Sequence, residues 1–267
     1  MDLEIVQVDA FADKPFAGNP AAVCVTESPL SEAVMQAIAA EMNLSETSFL
    51  TPIDGGYSLR WFTPKAEVDL CGHGTIAGAH ALWQQGHLPT GEIARFSTKS
   101  GWLSAAQKGD WIELDFPAQP AQAASHVLPQ LISSLCCGGN VRGVYKTETN
   151  YLVELQSQRV VQNLQPDFSK LVKLPVQGVI ITAAADDDAY DFVSRYFAPS
   201  IGVDEDPVTG SAHTSLAPYW QEKLGKNKMI AQQISPRGGV VRVECAAADR
   251  VKISGQAVTV LKGTLSI

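Results

Sequence analysis

Two short stretches hold the residue types that do chemistry. The first is Glu67-Val68-Asp69-Leu70-Cys71-Gly72-His73-Gly74-Thr75. Two glycines flank a histidine, and the run leads from an extended segment into a helix that Thr75 is expected to open. Glycine lets backbone come close to a ligand, and the free N–H groups of a helix start attract anions. The stretch reads as a mould for a small carboxylate with a titratable imidazole at its edge. The second stretch, Asp204-Glu205-Asp206-Pro207-Val208-Thr209-Gly210-Ser211-Ala212-His213, has the same character in the other half. The basic residue nearest to Cys71 in sequence is Lys65. An anion is therefore expected on backbone N–H groups near Gly72, His73, Gly74, Gly210 and Ser211.

Each candidate side chain also has a plainer reading. Glu46 sits in Asn43-Leu44-Ser45-Glu46-Thr47-Ser48-Phe49, apolar and hydroxyl-bearing surroundings without a nearby Lys or Arg. A partly desolvated carboxyl makes a good general acid/base at neutral pH; the alternative is a surface glutamate between a helix and a strand. His73 is a polar site residue or a loop histidine capping the helix. Asp206 and Ser211 point at a ligand, or Ser211 only caps its helix. Cys71 resembles a nucleophile, but no GxSxG-type pattern surrounds it, and cysteine also serves as a small core residue. No GxGxxG or P-loop pattern indicates a dinucleotide or ATP. His80 lies seven residues after His73 rather than four, and Asp186-Asp187-Asp188 lacks EF-hand spacing, so no metal ligands are read from the sequence.

Composition narrows the class. The 267 residues are 45% hydrophobic and 18% charged, enough for one large domain or two ordinary ones. The net charge is -8, with no basic block, which argues against nucleic acid. Up to Pro120 there are 6 Lys+Arg against 15 Asp+Glu, so an anionic substrate needs local donors rather than a general positive field. The start, Met1-Asp2-Leu3-Glu4, does not read as a signal peptide, and no apolar run approaches the ~18 residues of a membrane span. Five cysteines without CxxC spacing argue against a disulfide framework or structural zinc, and for a reducing cytoplasm.

The elements that must position these residues follow from periodicity. Strands are expected at 3–11, 21–25, 47–51, 57–62, 93–98, 102–107 and 111–116, with Asp54-Gly55-Gly56 as a turn. Ser31 caps a helix running to about Met42, and the helix from Thr75 ends at Gly86. Residues 117–124 read as a linker. Beyond it come a short helix at 128–135, strands at 141–146, 151–155 and 178–183, and an apolar, aromatic run at 190–197. A helix from about Ser211 to Leu224 follows, closed by Gly225 with Pro218 inside it. The closing strands are 239–245, 251–254 and 258–265. Each half thus offers strands, a glycine-bearing turn and a helix opened by that turn, which suggests an old internal duplication.

At Val8-Asp9-Ala10-Phe11, Pro15-Phe16-Ala17-Gly18-Asn19-Pro20, Asn43-Leu44-Ser45-Glu46-Thr47, Arg60-Trp61-Phe62-Thr63-Pro64, Cys71-Gly72-His73-Gly74-Thr75 and Glu205-Asp206-Pro207-Val208-Thr209-Gly210-Ser211-Ala212, the chain resembles the phenazine-biosynthesis isomerase-like (PhzF-like) proteins. The resemblance implies an α+β, diaminopimelate epimerase-like fold. It has two similar domains, 1–117 and 118–267, the last strand free to cross back to the first. Each is a curved, mostly antiparallel sheet around a central helix, with the site in the cleft between them. It implies Glu46 as proton shuttle, His73 and Asp206 as catalytic partners, and Asn19, Gly72, Gly74, Gly210 and Ser211 around a small carboxylate. No cofactor is implied, and a homodimer is. The expected function is a cofactor-independent isomerase. Epimerase relatives use two cysteines, and here only Cys71 has a counterpart. A cysteine-dependent amino or imino acid racemase and a non-catalytic carboxylate-binding protein are the alternatives.

Overall fold

The computed structural model describes residues 2–247 and 249–267. The chain forms two compact units, Met1–Phe116 with Lys252–Ile267, and Pro117–Val251. The first begins with β1 (Asp2–Ala10), β2 (Asn19–Val25), α1 (Glu32–Met42), β3 (Glu46–Ile53), β4 (Gly56–Phe62) and β5 (Glu67–Val68). It continues with α2 (Gly72–Gln84), β6 (Ala94–Thr98), β7 (Gly101–Lys108) and β8 (Trp111–Pro117). The second contains β9 (Gln122–Ala123), α3 (Pro129–Leu135), β10 (Val141–Lys146), β11 (Asn150–Leu155), α4 (Gln158–Gln162) and α5 (Phe168–Leu171). Then come β12 (Gly178–Ala184), β13 (Phe192–Ala198), β14 (Val203–Asp206), α6 (Gly210–Leu224), β15 (Lys228–Gln233) and β16 (Gly239–Ala247). The chain closes with β17 (Arg250–Gly255) and β18 (Ala257–Ser266), and β18 runs antiparallel to β1.

The two units repeat one ladder of pairings. In the first, β1–β2 is antiparallel, β2–β3 parallel, β3–β4 antiparallel, β4–β6 parallel and β6–β7 antiparallel. In the second, β10–β11, β11–β12, β12–β13, β13–β15 and β15–β16 follow the same alternation. A parallel pair needs a crossover. Helix α1 and then α2 supply it in the first unit; α4 with α5 and then α6 supply it in the second. Each unit is therefore α+β, a mostly antiparallel sheet with a helix buried against it.

Alternation along the strands sorts the side chains between helices. In the first unit Ala22, Cys24, Phe49 and Phe62 pack with Met35, Ile38 and Ala39 of α1. The opposite face serves α2, which buries every residue from Gly72 to Ala79 and again Ala81, Leu82 and Trp83. Burying a side chain such as Ile76 or Leu82 is worth about 1.5–3 kcal/mol, so tertiary packing holds this helix rather than its glycine-rich propensity. In the second unit α6 is the buried helix, with Trp220 stacked on Phe192 and its indole N–H donating to Thr182 Oγ1 at 2.9 Å.

Several expectations are corrected. Helix α2 starts at Gly72, with Cys71 as its cap, so Thr75 lies a turn inside rather than opening it. Residues 117–124 are no free linker. Ala118 N–H donates to Asp249 O, Gln119 N–H donates to Thr214 O, and Gln122–Ala123 pairs with β10. Strand β15 escapes the sequence pattern because two of its three inward residues are Ala231 and Gln233, which make no hydrophobic alternation. Helices α4 and α5 are too short, at 5 and 4 residues, to show a period. Among the described residues, no helix is long and apolar enough to cross a membrane.

Helix α6 also buries His213 completely. Its Nδ1–H donates to Thr209 O at 2.8 Å, and burial pushes its pKa down to about 4, outweighing that hydrogen bond. The unfolded chain takes up this proton near pH 6.5 and the folded one only near 4, so stability present above pH 6.5 is lost as pH falls between them. At roughly 1.4 kcal/mol per unit the loss is on the order of 3 kcal/mol. Urea unfolding from pH 7 to 4 should show a shallower pH dependence in His213→Leu than in the wild type. Identical slopes would contradict the assignment.

Candidate active site

The first unit gathers Asn19, Glu46, Cys71 and His73. Glu46 opens β3, and the alternate positions Ser48 and Leu50 continue the face that meets α2. Ser48 Oγ donates to Gly74 O at 3.0 Å, and a Cβ on Gly78 would touch Leu50. The strand's period of two thus runs in step with a helical spacing of four. That fit holds Glu46 Oε2 2.9 Å from His73 Nε2, with the two side chains 16% and 7% exposed. The approach is off the N–H axis, so this oxygen has a charge contact but no aligned hydrogen bond. On the far side of the ring, the Asn19 amide lies 3.1 Å from Nδ1. With a protonated ring the amide presents its oxygen there, and with Nε2–H alone its NH2. Gly18, at φ 65°, delivers Asn19 into β2, and a Cβ there would run into the Ala10 carbonyl.

Cys71 Sγ caps α2 by accepting Gly74 N–H at 3.3 Å, and it lies 3.6 Å from His73 Nδ1. Burial pushes this thiol above its ordinary range, Glu46 adds to the effect, and the imidazole opposes it. Burial pushes His73 down, but the Cys71 sulfur and the Glu46 carboxylate outweigh it and raise His73 well above its ordinary value. Gly74 has no room for a side chain: a Cβ would lie 2.7 Å from Trp61 and 2.9 Å from both Cys71 Sγ and Ser48 Oγ. Its N–H, expected at a carboxylate, is engaged by the cap. Glu67, at the head of the same stretch, is structural. A fork from Arg60 at 2.7 Å and the Lys99 ammonium at 2.5 Å hold its carboxyl down to about 2.

The second unit places Asp206, Gly210 and Ser211 around the start of α6. Thr209 is the N-cap residue, yet its side chain makes no cap hydrogen bond. Its hydroxyl donates to Asp206 Oδ2 at 2.5 Å instead. Ser211 is exposed and lies inside the first turn, which corrects the reading of it as a cap. Without a side-chain cap, the first N–H groups of α6 suit an anion. Arg195 grips the neighbouring Glu205 with two hydrogen bonds, at 2.7 and 2.9 Å, which fixes the strand that carries Asp206.

One residue here escapes the sequence reading. Gln233 is fully buried. Its Oε1 accepts Thr209 N–H at 2.9 Å, and its Nε2 donates to Asp206 O at 2.8 Å and to Thr209 Oγ1 at 3.1 Å. Ser235 adds a hydroxyl bond to Pro207 O at 2.7 Å. The motif's shape therefore depends on a glutamine more than twenty residues downstream, and no local pattern signals it.

Residues 8–263 match the model of the phenazine biosynthesis-like protein family (PhzC-PhzF). The chain belongs to that family. It is 49% identical, over 99% of each chain, to an uncharacterized isomerase of Halalkalibacterium halodurans. It is also similar to the crystal structure of a PhzF-family phenazine biosynthesis protein from Enterococcus faecalis, with TM-score 0.94 and 41% identity over the full length of both. A predicted epimerase from Pseudomonas aeruginosa shares the fold, with TM-score 0.79 and 22% identity over 98% of this chain and 99% of that one. The class of this family member is isomerase, and the resemblance read from its motifs holds across the chain.

Gln233→Leu tests the clamp. It removes the acceptor of the buried Thr209 N–H, a loss worth about 1–3 kcal/mol. The variant should lose roughly 1–3 kcal/mol in urea unfolding, with faster hydrogen exchange at Thr209. A loss below about 0.5 kcal/mol, the scale of an ordinary surface substitution, would contradict the clamp.

Proposed function

We propose that this protein is a cofactor-independent isomerase that moves a proton between two carbons of a small carboxylate substrate, with Glu46 as the acid/base. The observation that carries the reading is the Glu46–His73 pair, 2.9 Å apart at the junction of a strand start and a helix start. Ionised Glu46 takes a proton from one carbon, and the electron pair left behind delocalises into the adjoining unsaturated system. The protonated carboxyl then returns its proton to a different carbon, so the enzyme ends as it began. His73, held cationic by its neighbours, stabilises the charge on Glu46 and polarises the substrate as negative charge develops.

Asn19 and Gly72 are proposed as substrate contacts beside this pair. In the second unit, the uncapped start of α6 supports Gly210 and Ser211 as binders of the substrate's carboxylate. Asp206, held by Thr209 and Gln233, is proposed as the further catalytic partner. Gly74 serves the site by its missing side chain rather than by its N–H.

Glu46→Gln keeps the size of the side chain and can neither take nor return a proton. It should fold, retain binding of a carboxylate ligand, and lose about 10²–10⁴-fold in kcat. Turnover within tenfold of wild type would remove Glu46 from the mechanism.

One observation favours a second reading, a cysteine-dependent racemase: Cys71 Sγ lies 3.6 Å from His73 Nδ1. Against it, burial pushes the pKa of the thiol up, its sulfur caps α2, and the motif around Asp206 contains no second cysteine. Cys71→Ala should therefore keep kcat within about tenfold once folding is confirmed. A drop of about a thousandfold would make Cys71 a base or nucleophile.

A further inference from the structure

The sequence spacing around His73 shows no metal ligands, yet folding brings three ligand types together. One atom each from Glu46, Cys71 and His73 lies within 4.8 Å of the others. Two of the separations are His73 Nε2 to Glu46 Oε2 at 2.9 Å and Cys71 Sγ to His73 Nε2 at 3.9 Å. We infer that Glu46, Cys71 and His73 form a binding site for a soft divalent cation such as Zn²⁺, one that blocks the acid/base pair when filled.

Geometry supports the site. Around tetrahedral zinc, with Zn–S about 2.3 Å and Zn–N and Zn–O about 2.0–2.2 Å, neighbouring ligand atoms stand roughly 3.3–3.6 Å apart. Glu46 Oε2 already stands closer to Nε2 than that range, whereas Sγ, 3.6 Å from Nδ1 and 3.9 Å from Nε2, flanks the ring and reaches the lone pair of Nε2 through a rotation of the Cys71 side chain. Thiolate, imidazole and one carboxylate select Zn²⁺ or Co²⁺ over Mg²⁺ or Ca²⁺, which take oxygen ligands. Three protein ligands leave a fourth position for water.

The surroundings fit as well. A metal-bound histidine usually donates its other ring N–H to a fixed acceptor, and the Asn19 amide lies 3.1 Å from Nδ1 to provide one. Gly74 N–H points at Sγ, and the start of α2 favours a thiolate over a thiol once the cation is there. Glu46 Oε2 has no aligned hydrogen bond to give up. On coordination, Cys71 Sγ and His73 Nε2 each release a proton to solvent and donate the freed lone pair to the cation. Glu46 then donates to metal instead of taking a substrate proton. The metal site itself does not depend on the isomerase reading; the block on the acid/base pair rests on it.

Co²⁺ titration of the full chain tests it by absorption. One bound Co²⁺ per chain should give a near-ultraviolet thiolate-to-cobalt band that added Zn²⁺ removes. Folded Cys71→Ser should lose the band, and Glu46→Gln should weaken binding at least tenfold. Cys136 is exposed, and a band that survives in Cys71→Ser would place the metal on another cysteine and overturn the site. Absence of a band in the wild type, or unchanged affinity in Glu46→Gln, would overturn it equally.

Discussion

The close fit of β3 against the first turn of α2 is the constraint on which the Glu46–His73 pair depends. Ser48 reaches the Gly74 carbonyl at 3.0 Å, and a Cβ on Gly74 would strike Trp61, Cys71 and Ser48. Because the helix start can approach that closely, the carboxyl at the head of the strand reaches the imidazole one residue before Gly74. A buried His–Glu pair costs desolvation that only close contact and further hydrogen bonds offset. The amide of Asn19, delivered by the left-handed turn at Gly18, supplies part of that support.

The repeated ladder places a buried helix at the same step of both units, yet the two helix starts are finished differently. In α2 a cysteine side chain caps the helix and a glycine N–H is consumed. In α6 the capping hydroxyl is drawn away to Asp206, and Gln233 fixes the backbone from outside the motif. One start therefore carries a Glu–His pair beside a capped backbone, and the other has no side-chain cap beside a carboxyl. The same ladder of pairings thus ends in two different helix starts, set by the residue at the cap.

Much of this was legible in the sequence, for reasons that also mark where legibility ends. Ser31, Gly225 and the Asp54-Gly55 turn act through neighbours in the chain, so their elements stand as read: the cap of α1, the left-handed end of α6, and the β3–β4 hairpin. The motifs around His73 and Asp206 identify the family because their residue types are confined to short windows. What the sequence hides acts across distance. Asn19 and His73 are separated by 54 residues, and Gln233 and Thr209 by 24. The start of α2 was misplaced because cysteine is a rare cap and two glycines read as loop; tertiary burial overrides both signals. The closeness of Glu46, Cys71 and His73 has the same origin, since no local spacing encodes a contact between a strand and a helix.

The central claim is that Glu46 and His73 act as one unit, and a double-mutant cycle measures that coupling directly. Equilibrium unfolding of the wild type, Glu46→Gln, His73→Gln and the double variant at neutral pH gives the interaction energy with other contributions cancelled. The account predicts that the double variant loses less stability than the sum of the single losses, by about 1–3 kcal/mol. Additivity within about 0.5 kcal/mol would show that the two side chains lie near each other without interacting, and would contradict the account.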